Sequence, residues 1–217
     1  MVKDYISINK KAYDILASEY KEKYKNNEGA NYFYKILEDF VLKRKKESAI
    51  KMLEIGPGTG TLLKIFENHN IKTTAVELSE NMATLAKQTS PDSVIINDNI
   101  LNVNFLNNQF DFILAMAVIH NFPENDLIKL LKKIKLWLKE DGYFILDTTN
   151  NKVTESGYFE KEDYDTRVER YRRKWKKEDL NKFLTKQGFE IDELINYKDP
   201  TSGKEWLIYA LKKTNNK

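Results

Sequence analysis

Three glycines spaced two residues apart are the feature of this sequence that points most directly to chemistry. Gly56, Gly58 and Gly60 follow the apolar run 51–55 and precede an amphipathic segment that begins at Leu62. Glycine has no Cβ, permits a positive φ, and lets a ligand approach the main chain closely. The pattern predicts a buried strand, a tight turn and a helix N-terminus, with a nucleotide-like ligand against bare backbone.

The spacing of these glycines distinguishes between the ligands that such turns usually bind. A dinucleotide-binding turn reads G-x-G-x-x-G, but position 61 is threonine, so the last glycine of that pattern is missing. A phosphate-binding loop ends in G-K-[S/T], and no lysine follows Gly60. With Glu54 in front, the turn reads E-x-G-x-G-x-G. An ordinary strand-to-helix turn without a ligand stays open as the alternative at this point.

A second group of residues, after the next two predicted strands, has the side chains that a nucleoside needs. Glu77 ends the second strand, seventeen positions after Gly60, and its carboxylate can accept hydrogen bonds from both ribose hydroxyls. A lone glutamate there would be interpreted as exposed, but its pairing with the glycine turn favours the ribose. The residues that could enclose and recognise an adenine are Leu78, Met82, Asp98, Asn99 and Ile100.

Composition limits the class of protein. The chain has 217 residues, 41% of them hydrophobic, which suits one domain with a buried core. Its net charge of +3 is too small to indicate nucleic-acid binding by itself. The absence of cysteine excludes disulfides and a thiol nucleophile. The apolar run 112–119 is far short of a membrane span, and no signal peptide is visible, so we expect a cytoplasmic protein without a membrane partner.

The periodicity of apolar residues predicts the elements that position these groups. One or two amphipathic helices are expected over residues 4–46, with a break near 26–29. From residue 50 the chain alternates as in a doubly wound, parallel α/β sheet. The predicted strands lie at 50–55, 73–77, 93–97, 110–116, 143–147, 189–195 and 205–211. The predicted helices lie at 59–69, at 79–88 with Ser79 as cap, from Pro123 to Gly142, and at 176–187. Residues 148–175 show no clear period.

Residues 50–147 resemble the class I S-adenosylmethionine (SAM) methyltransferases. Besides the glycine turn, the resemblance rests on four segments: V-E-L-S at 76–79, N-D-N-I at 97–100, F-D-F-I-L-A-M-A-V-I-H at 110–120 and L-K-E-D-G-Y-F at 138–144. The last segment departs from the family's L-x-P-G-G turn, because Glu-Asp replaces Pro-Gly. This departure changes a turn and puts no binding residue in doubt.

The resemblance implies a fold and a division of the chain. It implies a Rossmann-like, doubly wound, seven-stranded sheet that is mostly parallel with its last strand antiparallel. The whole chain, 1–217, would be a single methyltransferase domain. An N-terminal helical lid would occupy 1–48, the SAM-binding core 49–147, and a substrate-side insertion with the last strands 148–217.

The resemblance also implies where SAM would lie, across the carboxyl ends of the strands. Glu54 and the three glycines would belong to the turn that faces the methionine and ribose. Glu77 would hold the ribose, and Asp98 and Asn99 the adenine. Ala115 and Met116 would face the amino acid end of the cofactor.

Candidates for the methyl-transfer step follow from this placement. The methyl group of SAM is already activated, so an enzyme has mainly to align the acceptor and exclude water, and no metal is expected. His120, just past the fourth strand, could take a proton from an amine acceptor near neutral pH. A structural histidine that holds the loop before Pro123 stays open as the alternative.

Aromatic and basic residues on both sides of the core are candidates for the acceptor side. Tyr13 and Tyr20 lie in a segment that looks like the N-terminal lid of small-molecule methyltransferases, and tyrosine rings attract cationic methyl groups. Tyr158 and Tyr164 are expected to complete the lid, with core packing as the alternative for each ring.

The segment 167–174 is the densest basic run of the chain. Arg170 and Arg172 are candidates to bind a carboxylate or phosphate of the acceptor. In the alternative, which the composition of the run favours, the charges face water while Val168, Tyr171 and Trp175 turn inward.

These expectations combine into a function. We expect a SAM-dependent methyltransferase that acts on a nitrogen or oxygen of a small molecule, as a monomer or homodimer. An RNA or protein methyltransferase is the alternative, although no N/D-P-P-Y motif ends the fourth strand and no basic stripe indicates nucleic acid. A SAM-binding protein without turnover also stays open, and the glycine spacing disfavours a dehydrogenase.

Overall fold

A computed structural model of the protein describes residues 4–24, 28–44, 49–161, 163–200 and 202–214. The chain begins with two helices, α1 (Tyr5–Tyr24) and α2 (Glu28–Arg44). The predicted break near 26–29 falls partly on residues 25–27, outside the described residues. Each helix has apolar side chains recurring every three or four positions, so one face of it is buried. In α1 the most buried apolar residues are Ala12, Leu16 and Ala17.

From residue 51 strands and helices alternate, as the sequence predicts. The strands are β1 (Lys51–Ile55), β2 (Lys72–Glu77), β3 (Val94–Asn97), β4 (Phe110–Ala115), β5 (Leu138–Thr149), β6 (Glu155–Lys161), β7 (Val168–Lys174), β8 (Phe189–Lys198) and β9 (Glu205–Lys213). The helices among them are α3 (Thr61–Glu67), α4 (Glu80–Thr89), α5 (Glu124–Trp137) and α6 (Lys177–Lys186). A 3₁₀ turn at Ile119–Asn121 follows β4.

The main sheet has seven strands in the order β3-β2-β1-β4-β5-β9-β8. Strands β1 to β5 pair in parallel, and β9 is antiparallel to both of its neighbours. The predicted fold class is therefore confirmed. The strand β4 lies in the middle of the sheet with helices over both faces, which explains why its sequence is apolar almost throughout.

Two apolar clusters fix the sheet between its helices. One cluster packs α5 and α6 against the sheet and includes Leu130, Leu131 and Leu180. The other packs α2 and α3 against the opposite face and includes Leu37 and Phe66. Because both faces are covered, the polar ends of the parallel strands are the part of the sheet that is open to a ligand.

The boundary between α5 and β5 differs from the prediction that Gly142 closes the helix. The helix ends at Trp137, and β5 begins at Leu138, which pairs with Phe110 in β4. Gly142 lies inside β5, where an added Cβ would come within 3.0 Å of Leu138 Cδ1 and of Asp111 O. This glycine permits a close approach within the sheet, next to a register shift, instead of ending a helix.

A two-stranded hairpin, β6–β7, occupies most of the segment in which the sequence shows no period. Its strands are antiparallel, with Tyr158 opposite Tyr171 and Phe159 opposite Arg170. The apolar alternation that usually reveals a strand is absent, because one face of β7 carries basic side chains. Tyr171 and Trp175 are buried, as expected.

Helix α1 packs between this hairpin and the N-terminus of α4. Asn9, which is buried, accepts a hydrogen bond from the backbone N–H of Tyr171 (2.8 Å). On another side, Asp14 Oδ1 accepts from Ser79 Oγ (2.6 Å) and from the backbone N–H of Asn81 (3.2 Å). The helix thus bridges the end of β2 and the hairpin.

Among the described residues, none of the helices combines the length and the apolar character that a membrane crossing requires.

Candidate functional site

A cavity of about 830 Å³ lies at the carboxyl ends of the parallel strands. One side is formed by the glycine turn and by the residues after β2 and β3. The other side is formed by α1, the 3₁₀ turn, the end of β5 and the hairpin β6–β7. Its volume is within the range of about 300–1,000 Å³ that is typical of small-molecule sites.

The three glycines of the turn do different things. All have a positive φ: +68° at Gly56, +55° at Gly58 and +82° at Gly60. Gly58 lines the cavity, and a Cβ added there would meet nothing within 4 Å. Gly56 also lines the cavity, and its added Cβ would lie 2.6 Å from Val118 Cγ2.

Gly60, in contrast, does not line the cavity. An added Cβ would lie 2.8 Å from Ala86 Cα and 3.0 Å from Ala86 O, so this glycine lets the start of α3 approach the backbone of α4. Gly60 was predicted to face the ligand. The structure places it against α4 instead, where it packs on Ala86.

Glu77 is buried at the end of β2 and is held by backbone donors. Its Oε1 accepts from the N–H of Ser79 (2.9 Å), and its Oε2 accepts from the N–H of Gly58 (3.3 Å). Burial raises the pKa of Glu77 to about 7, although these hydrogen bonds oppose the shift. The glycine turn and the acid that the sequence paired with it are therefore in direct contact.

Glu54, the acid that opens the turn, is buried in β1 and lines the cavity. Its Oε2 makes no hydrogen bond in the part of the chain that the structure describes. Burial, together with the nearby charge of Glu77, raises the pKa of Glu54 to about 8. Buried polar atoms are normally hydrogen-bonded, so this oxygen, which lies on the wall of the cavity, is a candidate to contact a ligand.

The residues predicted to enclose an adenine lie together on the wall of the cavity after β2 and β3. Ser79 caps α4, because its Oγ accepts a hydrogen bond from the backbone N–H of Met82 (3.1 Å). This bond holds the start of α4, and with it Met82, beside the cavity. The predicted residues on this wall are Leu78, Met82, Asp98, Asn99 and Ile100.

The end of β4 gives a mixed result. Met116 lines the cavity, whereas Ala115 is fully buried in the sheet and does not. Ala115 is the last residue of β4, inside the sheet, whereas Met116 is the first residue of the turn that leaves it.

An acid that the sequence reasoning missed lies beside these residues. Asp147, near the end of β5, is buried, lines the cavity, and accepts a hydrogen bond from the backbone N–H of Ala117. Burial raises the pKa of Asp147 to about 7. One signal in the sequence could have found Asp147. It lies at the end of the predicted fifth strand, and the carboxyl ends of neighbouring parallel strands lie side by side.

His120 lies in the 3₁₀ turn, almost fully buried, and lines the cavity. Its Nδ1 is 3.3 Å from Thr148 Oγ1, within hydrogen-bond distance. Burial lowers the pKa of His120 well below its ordinary value, and the charges of Arg172 and Arg170 lower it further. The imidazole is therefore neutral at pH 7, and the near-neutral pKa expected from the sequence is wrong.

Three of the four predicted lid tyrosines reach the cavity. Tyr20 stacks on Tyr164, with ring centroids 4.6 Å apart, and Tyr13 lies edge-on to Tyr20 at 6.1 Å. Tyr158 does not line the cavity, because its ring packs edge-on against Tyr171 at 5.7 Å on the other face of the hairpin.

The basic run divides between the cavity and solvent. Arg170, only 4% exposed, and Arg172 both line the cavity, whereas Arg167 is exposed. The solvated interpretation is therefore wrong for Arg170. Lys161, 7% exposed, joins them from the end of β6 and was missed, because a single lysine in an aperiodic segment gives no signal in the sequence.

A metal site requires several ligand side chains close together. Within the described ranges, histidine, aspartate and glutamate side chains form no group of three or more that could hold a metal ion.

Comparisons with known proteins identify the family of the chain. A family model described as a methyltransferase domain matches residues 27–194. An uncharacterized protein of Methanocaldococcus jannaschii is 31% identical over 141 residues, which are 65% of this chain and 51% of the relative. This chain spans about half or less of the length of the curated relatives that it matches.

Solved structures share the fold. The 1,6-didemethyltoxoflavin-N1-methyltransferase of Burkholderia thailandensis has a TM-score of 0.77 at 17% identity, over 98% of this chain and 90% of that one. A SAM-dependent methyltransferase of Clostridium acetobutylicum has a TM-score of 0.69 at 20% identity, over 94% and 100%. Because the family model matches more than half of the chain, this protein belongs to the class I SAM-dependent methyltransferases.

Proposed function

We propose that this chain transfers a methyl group from SAM to a nitrogen or oxygen atom of a small molecule, and that the cavity holds both. The observation that carries this proposal is the lining of the cavity. Its acidic, glycine-lined half adjoins an aromatic and basic half that lies under α1 and the hairpin.

The residues present fit SAM, the cofactor of this family. The unpaired Oε2 of Glu54 offers an acceptor, and the open space at Gly58 leaves bare backbone for a ligand to contact. Glu77 offers a carboxylate fixed by two backbone donors. We propose that Glu77 holds the ribose hydroxyls, that Asp98 and Asn99 contact the adenine, and that Leu78, Met82 and Ile100 cover its ring.

Glu54 and Met116 are proposed to face the amino acid end of the cofactor, and Asp147 adds a third acid on this side of the cavity. Carboxylates suit this end because SAM carries an ammonium group and a sulfonium. When bound, SAM supplies an electrophilic methyl group, so the remaining work of the protein is alignment, desolvation and proton transfer.

His120 is proposed to take the proton of an amine or hydroxyl acceptor. It is neutral at pH 7, so a free nitrogen of its ring is available as an acceptor of hydrogen bonds. The same burial that keeps it neutral makes it a weak base, which suits transfer from a group whose acidity rises as it is methylated. Tyr13 and Tyr20 are proposed to position the acceptor and to keep water out.

The walls of the cavity favour a small acceptor. Tyr13, Tyr20 and Tyr164 line the same cavity as His120, so we expect a small molecule to reach His120 more readily than a polymer does. The structural neighbour from Burkholderia thailandensis was crystallised with a small heterocyclic acceptor and S-adenosylhomocysteine, which supports a small-molecule acceptor here.

The test is calorimetric titration of S-adenosylhomocysteine into the purified protein and into Glu77→Gln. Glu77→Gln should weaken binding at least about tenfold, because an amide cannot accept from both hydroxyls while it faces two backbone N–H donors. Glu80→Gln, an exposed glutamate three positions away, is the control and should bind as the wild type does. No binding to the wild type would reject the proposal.

A second measurement separates turnover from mere cofactor binding. Pools of small metabolites, RNA and protein are incubated with the enzyme and methyl-labelled SAM. We expect label to appear in a small molecule. Binding without transfer to any pool would instead favour a non-catalytic SAM-binding protein, and label in RNA or protein would overturn the small-molecule assignment.

A further inference from the structure

Three cationic side chains converge on the hairpin side of the cavity. Lys161 ends β6, and Arg170 and Arg172 face the cavity from β7. Lys161 and Arg170 are 7% and 4% exposed, so two of these charges are largely removed from bulk water. Lysine and arginine are rarely buried to this degree unless they are paired, because the loss of hydration is large.

The protein supplies mostly neutral partners for the two arginines. Arg170 Nη1 donates to the hydroxyl of Tyr13 (2.8 Å), and Arg172 Nη2 donates to Thr149 Oγ1 (2.8 Å). Over the ranges that the structure describes, neither guanidinium forms an ion pair. Each guanidinium has five N–H donors in a planar fork, so these single bonds leave much of its donor capacity for a ligand.

The lysine has an acid nearby, but that acid is shared. Lys161 Nζ is 3.6 Å from Asp163 Oδ2, while Asp163 Oδ1 is 2.6 Å from Lys204 Nζ. One carboxylate therefore stands between two lysines, and the group Lys161, Arg170, Arg172 and Lys204 keeps an excess of positive charge over Asp163. The pKa of Lys161 is lowered to about 7, first by burial and then by Arg170, as expected for crowded like charges.

Packing does not explain this arrangement. A hairpin that only covered the cavity would be more stable with its charges turned to water, as Arg167 is. Groups that are unfavourable for folding and line a cavity are typical of binding sites.

We propose that the methyl acceptor carries an anionic group, a carboxylate or a phosphate, that binds to Lys161, Arg170 and Arg172. This inference rests on the proposed function, since it concerns the acceptor of the same site. The planar guanidinium groups match the two oxygens of either anion, and the aromatic rings of Tyr13 and Tyr20 flank the body of the molecule. His120 lines the same cavity, and the charges of Arg172, Arg170 and Lys161 act on it.

The experiment uses the full chain saturated with S-adenosylhomocysteine and three probes that share a phenyl ring. Benzoate, phenyl phosphate and the neutral benzamide are titrated in phosphate-free buffer, with ligand-observed NMR as the readout. Benzoate or phenyl phosphate should bind at least about tenfold more tightly than benzamide, and the two anions distinguish a carboxylate acceptor from a phosphate acceptor. Equal affinities for all three probes, or no binding of either anion, would overturn the inference.

Variants on one strand locate the effect. Arg172→Gln should reduce the affinity for the preferred anion to that for benzamide, and Arg172→Lys should restore part of it. Arg167→Gln removes an exposed charge just before the same strand and should change nothing. If Arg172→Gln and Arg167→Gln behave alike, the anion does not bind at the cavity and the inference fails.

The affinity for S-adenosylhomocysteine, measured first on every variant, confirms that each is folded. It also separates the two proposals. Loss of that affinity in the wild type would reject the proposed function, whereas intact cofactor binding without anion preference would reject only this inference.

Discussion

The acids of this site are buried and lie near one another. The raised pKa of Glu54 shows what this means for the stability of the fold. Burial raises the pKa of Glu54 to about 8, whereas a glutamate in the unfolded chain has an ordinary value. The folded state therefore keeps a proton that the unfolded state has already lost. Linkage then requires the contribution of Glu54 to the free energy of unfolding to decrease as the pH rises from about 4.5 to about 8.

Glu54→Gln should remove that dependence. At pH 4 the melting temperatures of the variant and the wild type should nearly coincide, because Glu54 is then mostly protonated in both the folded and the unfolded state. At pH 8.5 the variant should melt at least about 3 °C higher, since one kcal/mol corresponds to roughly 2–4 °C in a protein of this size. Asp147 is present in both proteins and cancels in the comparison, whereas Glu77 interacts with Glu54, so the difference reports Glu54 together with its coupling to Glu77. A difference that does not change with pH would contradict the assigned burial of its charge.

A second prediction concerns His120. His120→Ala should lower turnover with the identified acceptor about 100-fold, while the affinity for S-adenosylhomocysteine changes less than about twofold. Because its pKa is well below the ordinary value, the wild type should show no loss of activity from imidazole protonation near pH 6.5. Steady-state rates from pH 5.5 to 8 and calorimetry give both readouts.

The control for His120 is Thr148→Val, which removes the hydroxyl beside Nδ1 and keeps the ring. If His120 only holds the loop, Thr148→Val and His120→Ala should both lower the melting temperature and leave turnover proportional to the folded fraction. Unchanged turnover in His120→Ala would reject a role in proton transfer.

The sequence was informative at residues whose chemistry shows in their spacing. Glu77 and Gly58 were paired from the sequence, and the structure places them in contact. Lys161 and Asp147 were not found, because their significance depends on burial and on neighbours far along the chain. The spacing of the glycines also could not show that Gly60 packs against a helix. A glycine with a positive φ is required both where a ligand contacts the turn and where a helix packs on it.

At the scale of elements, the glycine turn joins β1 to α3 and also sets the distance from α3 to α4. Gly60→Ala combines a φ of +82° with an added Cβ 2.8 Å from the backbone of Ala86. We expect it to lower the free energy of unfolding by about 2–4 kcal/mol, from strain and from overpacking. Urea unfolding measures this loss.

Gly58→Ala is the matched variant in the same turn. Its φ of +55° brings strain of about 1–2 kcal/mol, but the new methyl group meets no protein atom. We therefore expect a smaller loss of stability and a loss of affinity for S-adenosylhomocysteine, because the methyl group enters the cavity. Equal losses of stability in the two variants would contradict the packing role of Gly60.

The elements themselves were predictable where one physical rule decides them. Apolar runs typical of buried parallel strands, and helices with an apolar face, predicted where the core strands lie along the chain and that helices precede them. The hairpin β6–β7 was not predicted, because the side chains that face the cavity from β7 are basic and interrupt the alternation of apolar and polar residues. The end of α5 was predicted wrongly at Gly142. The helix ends earlier because Leu138 pairs with Phe110 in the sheet.

At the scale of the whole molecule, the charges of the cavity are separated. The acids Glu54, Glu77 and Asp147 come from the sheet, and the cations Lys161, Arg170 and Arg172 come from the hairpin region. The sheet half thus suits a cationic cofactor and the hairpin half an anionic acceptor. Helix α1 contacts both halves, through Ser79 and through Tyr171, so its position couples them.

This coupling gives a prediction for the motion of α1. The helix lines the cavity, and its Asp14 holds it to the N-terminus of α4 through Ser79 and Asn81. We expect the helix to move when the cofactor enters and leaves. We expect S-adenosylhomocysteine to slow hydrogen–deuterium exchange of the α1 amides, because a filled cavity favours the closed position. Asp14→Ala should speed that exchange and increase the dissociation rate of the ligand several-fold, and Ser18→Ala, an exposed change on the same helix, should do neither. Exchange in α1 that is unaffected by the ligand and equal in both variants would mean that α1 is a fixed wall and not a moving cover.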